Sequence, residues 1–161
     1  MVYKVDTAGQ ETVLYSFTGG ADGGEPWAGV IRDAAGNLHG TTYYGGTAGV
    51  GVVYKVDTAG QETTLYSFTI GADGGQPYAG VIRDSAGNLY GTTYYGGTAG
   101  AGVVYKLDPA GQETVLYSFT GGADGGSPRA GVIRDAAGNL YGTAYSGGTE
   151  SSGVIFKIIP Q

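Results

Sequence analysis

The sequence contains no cysteine and only one histidine, His39. The absence of cysteine excludes disulfide bonds and thiolate metal sites. With one histidine, neither a set of histidine metal ligands nor a histidine-based triad can form within one chain. No apolar run approaches the roughly 20 residues of a membrane-spanning helix, and we recognise no export segment. We therefore expect a soluble protein that is not an enzyme, binds no cofactor and does not enter a membrane.

Charged side chains are also scarce, at 14% of the 161 residues, with a net charge of -6. The eight lysines and arginines lie singly along the chain, so we do not expect a basic groove for nucleic acid. Glycine is abundant, with 34 residues, beside 14 tyrosines and a hydrophobic fraction of 41%. This composition is typical of strands and turns and is too apolar for a disordered chain.

The chain consists of a 51-residue unit that occurs three times, followed by the start of a fourth. Residues 2–51 and 53–102 differ at only seven of fifty positions, which indicates recent duplication or design. We interpret residues 1–161 as one domain, divided into units 2–52, 53–103, 104–154 and the partial unit 155–161. Units of this length are typical of stacked arrays, in which each unit buries its apolar face against the next.

Turn chemistry divides each unit into four strands. Asp33 can open a type I turn, and Gly36 can supply the positive φ that returns the chain. Asp108-Pro109-Ala110-Gly111 carries proline at the second turn position, which a type I turn prefers. Counted from residue 28, the predicted strands are Ala28–Arg32, Leu38–Thr42, Val52–Val56 and Thr63–Phe68. In the last strand we expect Thr64, Tyr66 and Phe68 on one face and Leu65 and Ser67 on the other.

Four strands joined by tight hairpins predict an all-β fold of four-stranded antiparallel meanders, repeated as β-propeller blades. A β-helix is the main alternative, but its strands pair in parallel between coils, which hairpins do not favour. Three blades form an arc rather than a ring and leave two apolar faces exposed. We therefore expect the chain to associate with itself, as a dimer with six blades or a trimer with nine.

The third-strand type occurs four times, whereas the other three types occur three times each. One terminal third strand is therefore in excess wherever two arcs meet. The candidates are Val2–Val5 and Val154–Ile158. The second is the longer and more apolar and follows its own hairpin directly, so we expect it to be retained and Val2–Val5 to be displaced.

Two sets of residues are candidates for binding. Asp22, Asp73 and Asp124 lie in equivalent glycine-rich linkers, and in a closed ring their carboxylates could surround the axis and hold a hard cation. An Asx-type turn explains the same aspartates without a metal. Aromatic residues on the same rim could stack a sugar ring or grip a peptide, or they could pack blade against blade. The rim candidates are Trp27, Tyr43, Tyr44, Tyr78, Tyr94, Tyr95, Arg129 and Tyr145.

Residues 26–42 resemble the first half of an NHL-type propeller blade. Leu89-Tyr90-Gly91-Thr92-Thr93-Tyr94-Tyr95-Gly96-Gly97, followed by Gly102-Val103-Val104-Tyr105-Lys106, more closely resembles the GloVer tandem-repeat family of bacterial surface-type proteins. The resemblance covers the whole chain and implies a propeller-like array whose parent proteins are often exported. It implies nothing about a ligand, and the lack of export and anchor segments indicates an excised or engineered piece.

Two functions remain open at this point. The first is a structural module that assembles itself into a closed ring, which near-identical units favour. The second is a module that binds glycans or peptides through the rim aromatics.

Overall fold

The computed structural model of the protein describes residues 1–160, which form thirteen β-strands and no helix. No segment of this part of the chain is therefore a helix that could cross a membrane. All strand pairs are antiparallel, and none of the four sheets closes on itself. The all-β prediction is thus confirmed.

The strands follow one another in space as they do in the sequence. The N-terminal hairpin consists of β1 (Val2–Val5) and β2 (Glu11–Tyr15). The first full sheet has the order β3 (Ile31–Arg32), β4 (Leu38–Thr42), β5 (Val52–Val56) and β6 (Glu62–Ser67). The second full sheet consists of β7 (Ile82–Arg83), β8 (Leu89–Thr93), β9 (Val103–Leu107) and β10 (Glu113–Ser118). The C-terminal sheet has β11 (Ile133–Arg134), β12 (Leu140–Ala144) and β13 (Val154–Ile158).

The predicted turns form through the residues that predict them. The Gly36 N–H donates to the Asp33 carbonyl at 3.1 Å, and the Asn37 N–H donates to Asp33 Oδ1 at 2.9 Å. Gly36, Gly87 and Gly138 have φ of 94°, 92° and 92°, as predicted. Leu38–Thr42 and Val52–Val56 also have the predicted bounds.

The first strand of each sheet is shorter than predicted, with two residues where Ala28–Arg32 was expected. A bond between sheets does not account for this length, because the carbonyl of Ala79, equivalent to Ala28, accepts a hydrogen bond from Thr41, whereas Ala28 accepts none among the described residues and β3 is equally short. The predicted displacement of a terminal third strand does not occur within one chain, since β1 pairs with β2 and β13 pairs with β12.

The predicted alternation in the fourth strand is wrong at Leu65. The pairing register shifts between Val53 and Tyr54, which lie opposite Tyr66 and Thr64, so Leu65 is an extra residue in its strand. Such a β-bulge disrupts the alternation of faces. Leu65 and Tyr66 consequently pack against the same apolar cluster.

The core consists of three apolar clusters, each lying between consecutive sheets. The hairpin and the first full sheet meet around Val2 and Tyr54. The two full sheets meet around Val53 and Tyr105, and the second full sheet meets the C-terminal sheet around Val104. Gly91 in β8 leaves room for the ring of Tyr105 in β9, because a Cβ at Gly91 would lie 2.5 Å from the Tyr105 hydroxyl. His39 packs at 7% exposure, and its Nε2 lies 3.1 Å from Asp33 Oδ2.

Within the described part of the chain, the carboxyl group of Glu113 lacks a hydrogen bond that its equivalent in the preceding sheet has. Thr64 Oγ1 donates a hydrogen bond to Glu62 Oε1 at 3.1 Å. The position equivalent to Thr64 near Glu113 is Val115, which has no hydroxyl group to donate. Glu113 Oε1 is buried and lacks a hydrogen-bond partner among residues 1–160. Burial, and secondarily the charge of Asp73, raise the pKa of Glu113 to about 7 from its ordinary value of 4.5.

The turn glycines provide the first test of the fold. Replacing Gly36, Gly87 and Gly138 with valine should destabilise the protein by about 1 kcal/mol or more at each site, because a side chain is strained at this φ. Denaturant unfolding would measure the loss. Valine at Ala35, Ala86 and Ala137, which precede these glycines without a positive φ, is the matched control. Equal stability of the two triple variants would contradict the hairpin assignment.

The raised pKa of Glu113 predicts a pH dependence of stability. The folded state binds this proton more tightly than the unfolded state, so stability should fall as pH rises from about 4.5 to about 7 and then level off. Glu113→Gln should be more stable than the wild type above pH 7, with a difference that vanishes below pH 4.5. Val115→Thr should give part of the same gain by supplying the missing donor. Thermal melts from pH 4 to 8 would test this, with Glu11→Gln in exposed β2 as the control; parallel wild-type and Glu113→Gln curves would refute it.

Candidate assembly interface and aromatic rim

The contacts between neighbouring sheets repeat from one interface to the next. Thr41 Oγ1 donates to the Ala79 carbonyl at 2.9 Å, and Thr92 Oγ1 donates to the Ala130 carbonyl at the same distance. Both threonines are buried. Since the two residues of each pair belong to different sheets, this bond sets the position of one sheet on the next.

A strained backbone supports a second repeated bond. Gln76 and Ser127 have φ of 54° and 52°, which is uncommon for residues with a side chain. Their N–H groups donate to the carbonyls of Val50 and Ala101 in the preceding sheet, both at 2.7 Å. Glu25 has the same conformation, with φ of 54°, but its N–H has no hydrogen-bond acceptor in the described part of the chain.

The rim candidates form one continuous row across the three large sheets. Trp27 stacks on Tyr43 with a centroid separation of 4.2 Å, and Tyr43 meets Tyr78 edge to face at 4.9 Å. Tyr78 lies 4.9 Å from Tyr94. The Arg129 guanidinium lies 5.5 Å from the Tyr94 ring and 3.9 Å from the Tyr145 ring. The structure therefore brings six of the eight predicted residues into one row.

The other two rim residues lie beside this row. Tyr44 contacts Tyr43 and Tyr95 contacts Tyr94, both edge to face at 4.5 Å and both partly exposed. Inside the row the ring faces are occupied by neighbours, because each sheet places its own aromatic residue against that of the next. At the two ends of the row, Trp27 is 54% exposed and Tyr145 is 60% exposed. The open positions of the row itself are therefore its ends.

The C-terminal sheet exposes a face that is buried in the sheets before it. Ile155 is 85% exposed, whereas Val104 at the equivalent position is fully buried. Ile133 beside it is also exposed. The hydroxyl group of Thr143, equivalent to those of Thr41 and Thr92, has no hydrogen-bond partner within residues 1–160. We call the surface formed by Ile133, Thr143 and Ile155 the C-terminal end face.

The N-terminal end exposes residues whose equivalents in the later sheets pack against the preceding sheet. Tyr3 is 54% exposed, whereas Tyr54 at the equivalent position is 1% exposed. Val30 is exposed, although the equivalent Val81 is buried. A groove of 480 Å³ runs between them, lined by Met1 to Tyr3, Pro26 to Val30 and Tyr54. We call this surface the N-terminal end face.

The predicted aspartates are held by their own turns. Asp22 accepts hydrogen bonds from the Tyr15 hydroxyl at 2.9 Å, from the Thr18 N–H at 2.8 Å and from the Thr18 hydroxyl. Burial alone would raise the pKa of Asp22, but these bonds lower it below its ordinary value. Asp73 and Asp124 have the same partners in their own units. Within residues 1–160 no three acidic or histidine side chains lie close enough to share a metal.

Sequence reasoning missed the groups that join the sheets. The threonine-to-alanine bond spans 38 residues, so no local pattern reveals it. The strained Glu25, Gln76 and Ser127 are three different residue types, none of which predicts a positive φ. The tyrosine–aspartate pairs did have a signal, since Tyr15, Tyr66 and Tyr117 each precede their aspartate by seven residues.

Comparison with known proteins gives a family for this sequence. No curated protein matches the sequence. The sequence profile of the Gloeobacter/Verrucomicrobia repeat matches residues 1–161. The chain therefore belongs to the Gloeobacter/Verrucomicrobia repeat family.

Proposed function

We propose that the protein is a structural module that assembles itself, with its sheets acting as the blades of a β-propeller that several copies close into a ring. In this proposal the 51-residue units are the blades, and each copy supplies an arc of three. Four-stranded meanders stacked in sequence order support the blade interpretation. The resemblance to NHL-type blades belongs to the same proposal.

The observation that carries the proposal is the pair of uncovered end faces. Internal positions equivalent to Ile155 and Val30 are at most 3% exposed, while these two residues are 85% and 40% exposed. Full burial of a large apolar side chain stabilises a protein by about 1.5–3 kcal/mol. Covering both end faces is therefore a substantial driving force for association.

A closed ring covers both faces in every copy, whereas an open chain of copies leaves two uncovered. A dimer would have six blades and a trimer nine. The long glycine-rich linkers between sheets favour the wider ring, so we propose the trimer ahead of the dimer.

The aromatic rim supports a second candidate, a binding module for glycans or peptides. Trp27, Tyr44 and Tyr95 are all more than two-fifths exposed and lie on one surface. Exposed aromatic faces with nearby hydroxyl groups suit a sugar ring. This candidate ranks second because most ring faces in the row are covered by other rings.

Self-association predicts stability that depends on concentration. The melting temperature should rise when the protein concentration is raised a hundredfold, because association stabilises only the folded state. Native mass spectrometry should give a mass near three times 16.2 kDa for the trimer or near twice 16.2 kDa for the dimer. A monomer throughout, with a constant melting temperature, would refute the proposal.

The second candidate is tested on a glycan array. Binding of one sugar class that is lost in Trp27→Ala/Tyr78→Ala would establish rim recognition, provided the variant keeps the native mass of the wild type. Val13→Ala, which shortens an exposed side chain outside the rim and outside the N-terminal groove, is the control and should bind as the wild type does. No binding by the wild type to any sugar would remove the glycan form of this candidate.

A further inference from the structure

We propose that the C-terminal sheet of one copy docks on the N-terminal end of a second copy by taking the place of β1, so that β13 pairs with β2 of that copy. This inference rests on the proposed function, because it names the partner and the register of the same self-assembly. The docking partner is a second copy of the chain, because the two interfaces between consecutive large sheets already contain an equivalent of every contact proposed for the junction.

The polar contacts of the junction follow from their internal equivalents. Thr41 and Thr92 donate to the carbonyls of Ala79 and Ala130; Thr143 would donate in the same way to the carbonyl of Ala28 of the second copy. Gln76 and Ser127 donate through their N–H groups to Val50 and Ala101; Glu25 of the second copy would donate to Ser152. The strained backbone of Glu25 is thus already arranged for a bond that the single chain does not contain.

The apolar contacts of the junction also follow from their internal equivalents. Ile31 packs in the cluster of Val81, and Ile82 packs in the cluster of Val132. The exposed Ile133 would accordingly meet the exposed Val30 of a second copy. The 480 Å³ groove beside Val30 is the space into which Ile133 and β12 would fit.

The aromatic row would also continue across the junction. Within the chain, Tyr43 meets Tyr78 of the next sheet at 4.9 Å, and the Tyr43 hydroxyl donates to Gln76 Oε1 at 3.1 Å. The equivalent pair across the junction is Tyr145 with Trp27 of the second copy. Glu25, at the position of Gln76, presents a carboxylate that can accept a hydrogen bond from the Tyr145 hydroxyl.

Docking in this register makes two strands compete for one place. Ile155 of β13 is equivalent to Val2 of β1, which already lies in the cluster around Tyr54. In β1, Tyr3 and Lys4 lie opposite Val13 and Thr12 of β2. The equivalent pairs in the second full sheet, Tyr105 with Val115 and Lys106 with Thr114, have the same register. Phe156 and Lys157 of β13 can therefore pair with the residues of β2 in a second copy that Tyr3 and Lys4 pair with in the single chain.

The competition favours β13. When β13 replaces β1, the backbone hydrogen bonds to β2 are kept, so these bonds do not decide which of the two strands is preferred. All five residues of β13 also pair with β12, whereas β1 has β2 as its only neighbouring strand among the described residues. Docking of β13 buries Ile133 and Ile155, and release of β1 exposes only Val2 in addition to side chains that are exposed already.

The natural absence of cysteine allows a direct test of this exchange. Thr12, Lys4 and Lys157 are all exposed, and directly opposed residues on antiparallel strands lie within disulfide distance. In the variant Lys4→Cys/Thr12→Cys/Lys157→Cys, position 12 can bond either to position 4 of its own chain or to position 157 of another. We expect the 12–157 bond to dominate after oxidation, giving covalent multiples of the chain mass on a non-reducing gel and the linked peptide in a digest.

The control is Thr12→Cys/Lys106→Cys, because both edges of β9 are already paired and no 12–106 bond should form. A native mass of a dimer or trimer with the 4–12 bond dominant would overturn strand replacement and leave the proposed self-assembly standing. A monomeric native mass would overturn both. Thr143→Val offers an independent check, since it should weaken assembly severalfold, whereas unchanged assembly would contradict the junction bond to Ala28.

Discussion

The valines of the central strands point alternately to the two faces of each sheet, so each sheet needs a neighbour on both sides. Val53 lies in the cluster with the second full sheet, while Val52 and Tyr54 beside it lie in the cluster with the N-terminal hairpin. The chain provides two neighbours for each full sheet and only one for each terminal element. The uncovered end faces follow directly from this arrangement.

The same constraint explains why the rim and the assembly interface cannot be separated. The aromatic residues that suggested a binding surface lie where consecutive sheets meet, and most of their faces are used in those contacts. Arg129 replaces a ring in the row but still contacts Tyr94 and Tyr145 through its guanidinium. A change at Trp27 would therefore alter both packing and recognition, which is why the native mass of each variant must accompany any binding measurement.

The aspartates illustrate how a local structure can account for a repeated acidic residue. Asp22 is held by Thr18 and Tyr15, four and seven residues away, and these bonds keep the pKa of the carboxyl group low without a cation. Glu113 shows the reverse case, because one substitution near it, Val115 in place of threonine, leaves a buried oxygen without a donor. Nearly identical units thus differ in their electrostatics at single positions.

The sequence by itself determined the turns, the all-β class and the bounds of the central strands. These depend on short-range chemistry: an aspartate and a glycine within one turn define the hairpin at Asp33 and Gly36. Only the tertiary structure decided the short first strand, the bulge at Leu65 and the absence of a partner for the Thr143 hydroxyl among residues 1–160. The Thr143 hydroxyl lacks a partner because no sheet lies opposite it in the described part of the chain, since the equivalent Thr41 bonds to a carbonyl 38 positions away, beyond the range of any local pattern. The bulge depends on the pairing of the fourth strand with the third and recurs in all three such pairs.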